Sequence, residues 1–133
     1  MFVLDSRLEL DSFLVAELKI SKLLLMNDCN YLWLILVPKI ADAKELIDLD
    51  FQTQTQLLEE INLISKTLKE NFPCDKLNIA TLGNVVSQLH IHLIARQKND
   101  ATFPRPVWGN SDPKFYQQEE AQKLIKKIQN LLN

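Results

Sequence analysis

Short, mostly apolar segments open the chain: 12–19 (SFLVAELK) and 22–27 (KLLLMN) lie close together, which predicts two strands in a hairpin-like meander. Segment 31–37 (YLWLILV) is almost wholly apolar and stops at Pro38, as expected of a strand buried in the middle of a sheet. Asp42 is placed to cap a short helix through Glu45 and Leu46. A much longer helix is predicted over 51–72, where Leu57, Leu58, Ile61, Ile64, Ser65 and Leu68 recur at helical spacing and Pro73 follows. Two further strands, 76–82 and 88–96, are joined through Gly83 and Asn84, residues suited to a turn. Prolines 104, 106 and 113 with Gly109 mark 97–113 as a surface loop, and helical periodicity returns over 113–132. The pattern predicts an α+β fold, an antiparallel meander sheet of about five strands packed with helices.

The length of 133 residues fits one domain spanning 1–133, large enough to bury a core without disulfide or metal staples. Hydrophobic residues at 47% and charged residues at 24% are ordinary for a soluble globular protein. The longest apolar run, 31–38, is far too short to cross a bilayer, and acidic residues interrupt the N-terminus where a secretory signal needs an apolar stretch. A cytoplasmic protein with no membrane association is expected. Cys29 and Cys74 have no CxxC spacing and read as reduced structural thiols. A net charge of −2 and a pI near 5.7 argue against nucleic-acid binding through phosphate neutralisation, while leaving room for a single nucleotide in a pocket.

Chemistry concentrates in one strand. Both histidines of the protein, His90 and His92, lie two residues apart, so on a strand they share a face, and Gln88 joins them there. Leu89, Ile91 and Leu93 point the other way, toward the apolar side of the long helix. Imidazole is a nucleophile and a general acid or base near neutral pH, so two such groups on one rigid strand suit attack on a phosphate. The bland alternative is a half-exposed strand carrying surface histidines. Ser87 points away from the histidines, against a Ser-His pair.

The run Gln88-Leu89-His90-Ile91-His92-Leu93-Ile94 resembles the signature of the histidine triad superfamily, in which three histidines alternate with apolar residues along one strand. Gly83-Asn84 stand where that family has a Gly-polar pair, Asn27 where many members have a ribose-contacting Asn, and Val37-Pro38 where a strand ends in apolar-Pro. The resemblance spans roughly residues 13–96. Its departures are Gln88 at the first histidine, Leu32-Trp33 in place of a Gly-His pair, and Val85 at a position that is Ser in one branch, so the chain reads as a divergent branch.

The resemblance implies a nucleotide-binding hydrolase or nucleotidyltransferase. His90 would attack the α-phosphate of a nucleotide conjugate and form a covalent intermediate, with the Gln88 carbonyl orienting its other ring nitrogen. His92 and Asn84 would donate to phosphate oxygens, Gly83 would shape the turn beside them, and Asn27 would contact the ribose. Gln88 offers hydrogen bonds but cannot carry a proton on and off. The family further implies a homodimer. No cofactor is implied.

Two other readings stand beside this one. A nucleotide-binding protein of weak or absent activity would bind without turnover. A zinc site on His90 and His92 would need a third ligand from Asp or Glu, since no third histidine exists. Asn27 serves equally as a turn residue with Asp28. Arg96, Lys98, Arg105 and Trp108 are read either as part of a loop closing over phosphate or base, or as solvated charges and, for Trp108, an apolar anchor.

Overall fold

A computed structural model describes all residues, 1–133. Five strands form one antiparallel sheet: β1 (Ser12–Glu17), β2 (Ser21–Met26), β3 (Leu32–Pro38), β4 (Lys76–Ala80) and β5 (Ile91–Arg96), in the order β1-β2-β3-β5-β4. The near-continuous apolar run of β3 takes the central place, paired on both edges and buried on both faces. Three α-helices accompany it: α1 (Ser6–Leu10), α2 (Phe51–Asn71) and α3 (Gln118–Leu132). No helix is long and apolar enough to cross a membrane.

Alternation along the strands separates two cores. Leu34 and Leu36 of β3 with Ile91, Leu93 and Ala95 of β5 face α2, which contributes Leu57, Ile64 and Leu68, and α3, which contributes Ile125 and Ile128. Leu89 joins this core, so the apolar row beside the histidines packs under the long helix as the period-2 pattern predicts. Leu58, by contrast, is exposed, one position off the buried stripe. The opposite face is smaller, built from Tyr31, Trp33, Ile35 and Ile94 and covered by Leu8 of α1 and Val107 of the 97–113 loop.

Several boundaries differ from expectation for local reasons. Asp5 caps α1 by accepting from the Arg7 N–H, a helix that the apolar pattern alone does not announce. Asp42 does not cap the short helix: it sits at φ 63°, and the 3-10 turn Leu46–Asp48 is instead tied by the Asp48 carboxylate accepting from the Lys44 and Glu45 N–H groups. Strand β5 begins at Ile91, because the Leu89 N–H leaves the ladder for the Ala43 carbonyl. Helix α3 starts late because the backbone before it is held on the β2–β3 turn, where the Lys114 carbonyl accepts from Cys29 and the Tyr116 N–H donates to Asn27.

Candidate active site

His92 projects from β5 onto the smaller face, and His90 precedes the strand in the segment that leads into it. Both are buried, each about 6% exposed, with ring centroids 4.8 Å apart. They stand at a cavity of about 370 Å³ whose wall is mainly apolar. Helix α1 and its C-cap contribute Arg7, Leu8 and Asp11, the turn after β4 contributes Gly83 and Asn84, and the late loop contributes Trp108. An apolar pocket with few convergent polar groups is the usual form of a small-molecule site.

The two imidazoles are held differently. The Nδ1 of His90 lies 2.7 Å from the Gln88 carbonyl oxygen, which can only accept, so Nδ1 carries a proton and in the neutral ring it is Nε2 that keeps the lone pair. For His92 the partner is the Trp33 indole, whose Nε1–H donates to Nδ1 at 2.9 Å, so the proton of this ring belongs on Nε2. One ring thus presents a base or nucleophile and its neighbour a hydrogen-bond donor. Burial, and then the neighbouring His90, push His92 from 6.5 down to about 3, so it is neutral near pH 7. Trp108 packs edge-on against His92 with centroids 4.9 Å apart and against Trp33 at 5.7 Å.

The other residues singled out in the sequence divide. Gly83 adopts φ +78°, a left-handed conformation that side chains resist, and brings the exposed Asn84 to the cavity wall beside it. Gln88 does not share the face of the histidines. Lying outside the regular strand, its amide turns to the N-terminal segment, Oε1 accepting from Asp5 N–H and Nε2 donating to the Val3 carbonyl, both at 2.8 Å. Asn27 also lies off the cavity wall, its Oδ1 occupied by the Tyr116 N–H at 2.9 Å, while Met26 and Asp11 take that stretch of the wall. Arg96 is buried at the far end of β5, bound to Asp100, Asn78 and Thr102 and stacked between Tyr31 and Phe103. Lys98 and Arg105 are exposed. No third His, Cys, Asp or Glu is grouped with the histidines in a way that could hold a metal ion.

Sequence reasoning missed Arg7, Leu8 and Asp11. A signal was present in Asp5, an N-cap residue ahead of Ser6, but a five-residue helix carries too little periodicity to be read.

The profile of the HIT domain family matches residues 7–99, most of the chain and all of the strand-turn-strand framework around the histidines. The chain belongs to the histidine triad family. Solved histidine triad proteins resemble it over nearly their whole lengths. One from Bradyrhizobium japonicum is 48% identical, covers 99% of this chain and 98% of its own, and superposes with a TM-score of 0.96. One from Marinobacter aquaeolei VT8 is 40% identical, with 99% and 96% covered and a TM-score of 0.96. Another, from Sinorhizobium meliloti 1021, is 41% identical, with 97% and 96% covered and a TM-score of 0.94. No curated protein matches the chain. Histidine triad proteins are generally nucleotide-binding hydrolases or transferases, and the α+β sheet described above is their fold.

Proposed function

We propose that this histidine triad protein is a nucleotide hydrolase or nucleotidyltransferase in which His90 Nε2 attacks the α-phosphate of a nucleotide conjugate. The observation that carries the proposal is the 2.7 Å contact between His90 Nδ1 and the Gln88 carbonyl, which leaves the second ring nitrogen as a free lone pair at the cavity. The Nε2–H of His92 and the amide of Asn84 donate to phosphate oxygens, so that charge developing in the transition state meets donors already in place. Gly83 sets the turn that presents Asn84. Gln88 acts through its carbonyl and through its hold on the N-terminal segment rather than as a proton carrier. The cavity wall offers the Asp11 carboxylate, and not Asn27, as the acceptor for a ribose hydroxyl.

The protein is read as a cytoplasmic homodimer with no nucleic-acid or membrane partner and no cofactor. Strand β4 lies at an edge of the sheet with Ile79 exposed, a surface suited to a second copy. Light scattering on purified protein tests the dimer, and a monomer at micromolar concentration removes it.

The catalytic proposal is tested by release of nucleoside monophosphate from a panel of dinucleoside polyphosphates, nucleotide sugars and phosphoramidates. His90→Ala is expected to lose roughly a thousandfold or more in turnover while nucleotide binding persists. Binding without turnover by either protein would favour the second reading, a nucleotide-binding protein of little activity. The side chain of Gln88, engaged away from the cavity, is the feature that favours that alternative.

A further inference from the structure

On the reading of His90 as nucleophile, we infer that Trp33 fixes His92 as a hydrogen-bond donor that does not become a proton source. The site would therefore take phosphoanhydrides, whose leaving group departs as a stable oxyanion, in preference to phosphoramidates and alkyl phosphoesters.

The indole sets the tautomer of His92. Trp33 Nε1–H is a donor and nothing else, and it points at His92 Nδ1 from 2.9 Å. A proton placed on that nitrogen would set N–H against N–H between two side chains that are each almost fully buried, 5% and 6% exposed. The imidazolium of His92 is thus excluded by its partner as well as by burial. In the neutral ring the single proton is on Nε2, where it donates a hydrogen bond to a phosphate oxygen but is not released near pH 7.

No other group at the cavity replaces it. The titratable or charged residues facing His92 there are His90, Arg7 and Asp11. His90 commits its Nδ1–H to the Gln88 carbonyl and its Nε2 to phosphorus. Arg7 does not give up a proton, and it is held by Asp5 and the Val85 carbonyl. Asp11 is an exposed carboxylate, an acceptor by its chemistry. Gln88, where the family signature has its first histidine, has an amide that carries no exchangeable acid and turns to Val3 and Asp5.

The bond changes follow. The Nε2 lone pair of His90 forms the N–P bond, the bond from phosphorus to the bridging oxygen breaks, and its electron pair leaves on that oxygen. For an anhydride the product is a phosphate or carboxylate, which needs no proton. An amine or alkoxide must be protonated as its bond breaks, and the site holds no group to do so. In the second step water forms the P–O bond, the P–N electron pair returns to Nε2, and the water proton passes to solvent. His92 Nε2–H stays on a non-bridging oxygen throughout.

The test is a leaving-group series on adenosine 5′-monophosphate: the phosphoanhydride, the p-nitrophenyl ester, the phenyl ester and an alkyl phosphoramidate, cleaved by wild type and by Trp33→Phe. Nitrogen-15 NMR of the histidine rings reports the tautomer of His92. Wild-type turnover is expected to fall roughly tenfold for each unit by which the leaving group becomes more basic, as the absence of general acid demands. His92 should show a bare Nδ1 and a protonated Nε2 from pH 5 to 8. Trp33→Phe, which removes the donor together with part of the ring volume beside His92, should flatten the dependence and gain relative activity on the phosphoramidate at acid pH.

Phosphoramidate cleaved by wild type as fast as anhydride, or a proton found on His92 Nδ1, would overturn the inference. Loss of all turnover in wild type, with the His92 tautomer as stated, would instead overturn the nucleotidyl-transfer reading on which it rests. Should Trp33→Phe fold poorly, the wild-type series and tautomer decide alone.

Discussion

The two faces of the sheet are made by the same strands but are covered in different ways. On one face two long helices lay regular apolar stripes over alternate strand residues, and the core closes around Leu34, Leu36, Leu93 and Leu68, all at 0% exposure. On the other, a five-residue helix and an irregular loop cover a smaller core and leave a cavity with two histidines in it. The first face stabilises through area and shape, with about 1.5–3 kcal/mol for each large aliphatic side chain fully buried. The second depends on polar anchors, because a loop without periodicity has no stripe to bury. The helix-backed face and the loop-covered face together hold the histidines beneath a wall built from α1, the turn at Gly83 and Trp108.

The sharpest way to break the contrast is to remove an anchor. Arg96 is 1% exposed, and its guanidinium binds both carboxylate oxygens of Asp100 at 2.7 and 3.0 Å. Asp100 also accepts from the Gln97, Thr102 and Phe103 N–H groups, folding the start of the loop around itself. Burial alone would raise its pKa, but the Arg96 bond and these N–H donors hold it well below the usual carboxylate range. Asp100→Ala leaves a buried cation unpaired and should cost about 3–5 kcal/mol in urea denaturation. The protein's two tryptophans, Trp33 and Trp108, both lie on this face. Their fluorescence transition should therefore precede the far-UV circular dichroism transition in the variant, and coincident transitions would mean that the two faces fold as one unit.

Next in size is the opposite experiment. Leu68→Ala empties a helix-side position and should cost about 2–4 kcal/mol with both probes moving together, as large-to-small changes in close-packed cores do. Nucleotide binding below the melting temperature should be unchanged. A selective loss of binding would show that the cavity is not insulated from the helical face.

The two faces also differed in how far the sequence revealed them. Helix α2 and the strands were legible because their apolar positions recur at fixed periods, and the bounds moved by only a few residues. The row Leu89, Ile91, Leu93 told which way the histidines face. The placement of Gln88 failed because the segment before Ile91 leaves the ladder, and two-residue alternation holds only in a regular strand. Arg96 read as a loop charge because its pairing with Asp100 across an irregular turn has no periodic signature. Trp33 registered only as a departure from a family pattern, since its bond to His92 joins residues 59 positions apart.

Acid titration acts in smaller steps, one pH unit at a time, and on the loop-covered face. His92 titrates near 3 in the folded protein against an ordinary 6.5, so below pH 6.5 the unfolded chain binds a proton that the folded chain refuses. Stability contributed by the neutral ring is complete above about 6.5 and is lost progressively as the pH falls toward 3, at up to about 1.4 kcal/mol per pH unit. Asp100 adds a second loss in the same direction, starting lower, below its ordinary 3.8. His92→Gln keeps an acceptor for the Trp33 indole and does not titrate. It should therefore flatten the fall in Tm between pH 6.5 and 4 and leave the further loss below 3.8, and an unaltered profile would assign the acid sensitivity to other groups.

The smallest expected effect falls on Gln88. Its two hydrogen bonds fasten the chain near Val3 and Asp5, immediately before the helix that carries Arg7 and Leu8 to the cavity. A half-buried amide making two bonds should contribute about 1–2 kcal/mol, and Gln88→Ala should lower stability by that amount. The loss should be local: faster hydrogen exchange over 3–10 with protection in β3 and β5 unchanged. Because the Gln88 carbonyl is main chain, its hold on His90 survives the substitution. Nucleotide affinity should therefore weaken through the loosened wall, while the rate of the first chemical step at saturating substrate changes little. A large drop in that rate with exchange unaltered would return Gln88 to direct participation in the chemistry, and the loop-covered face would then owe its catalytic geometry to the side chain and not to the backbone of this position.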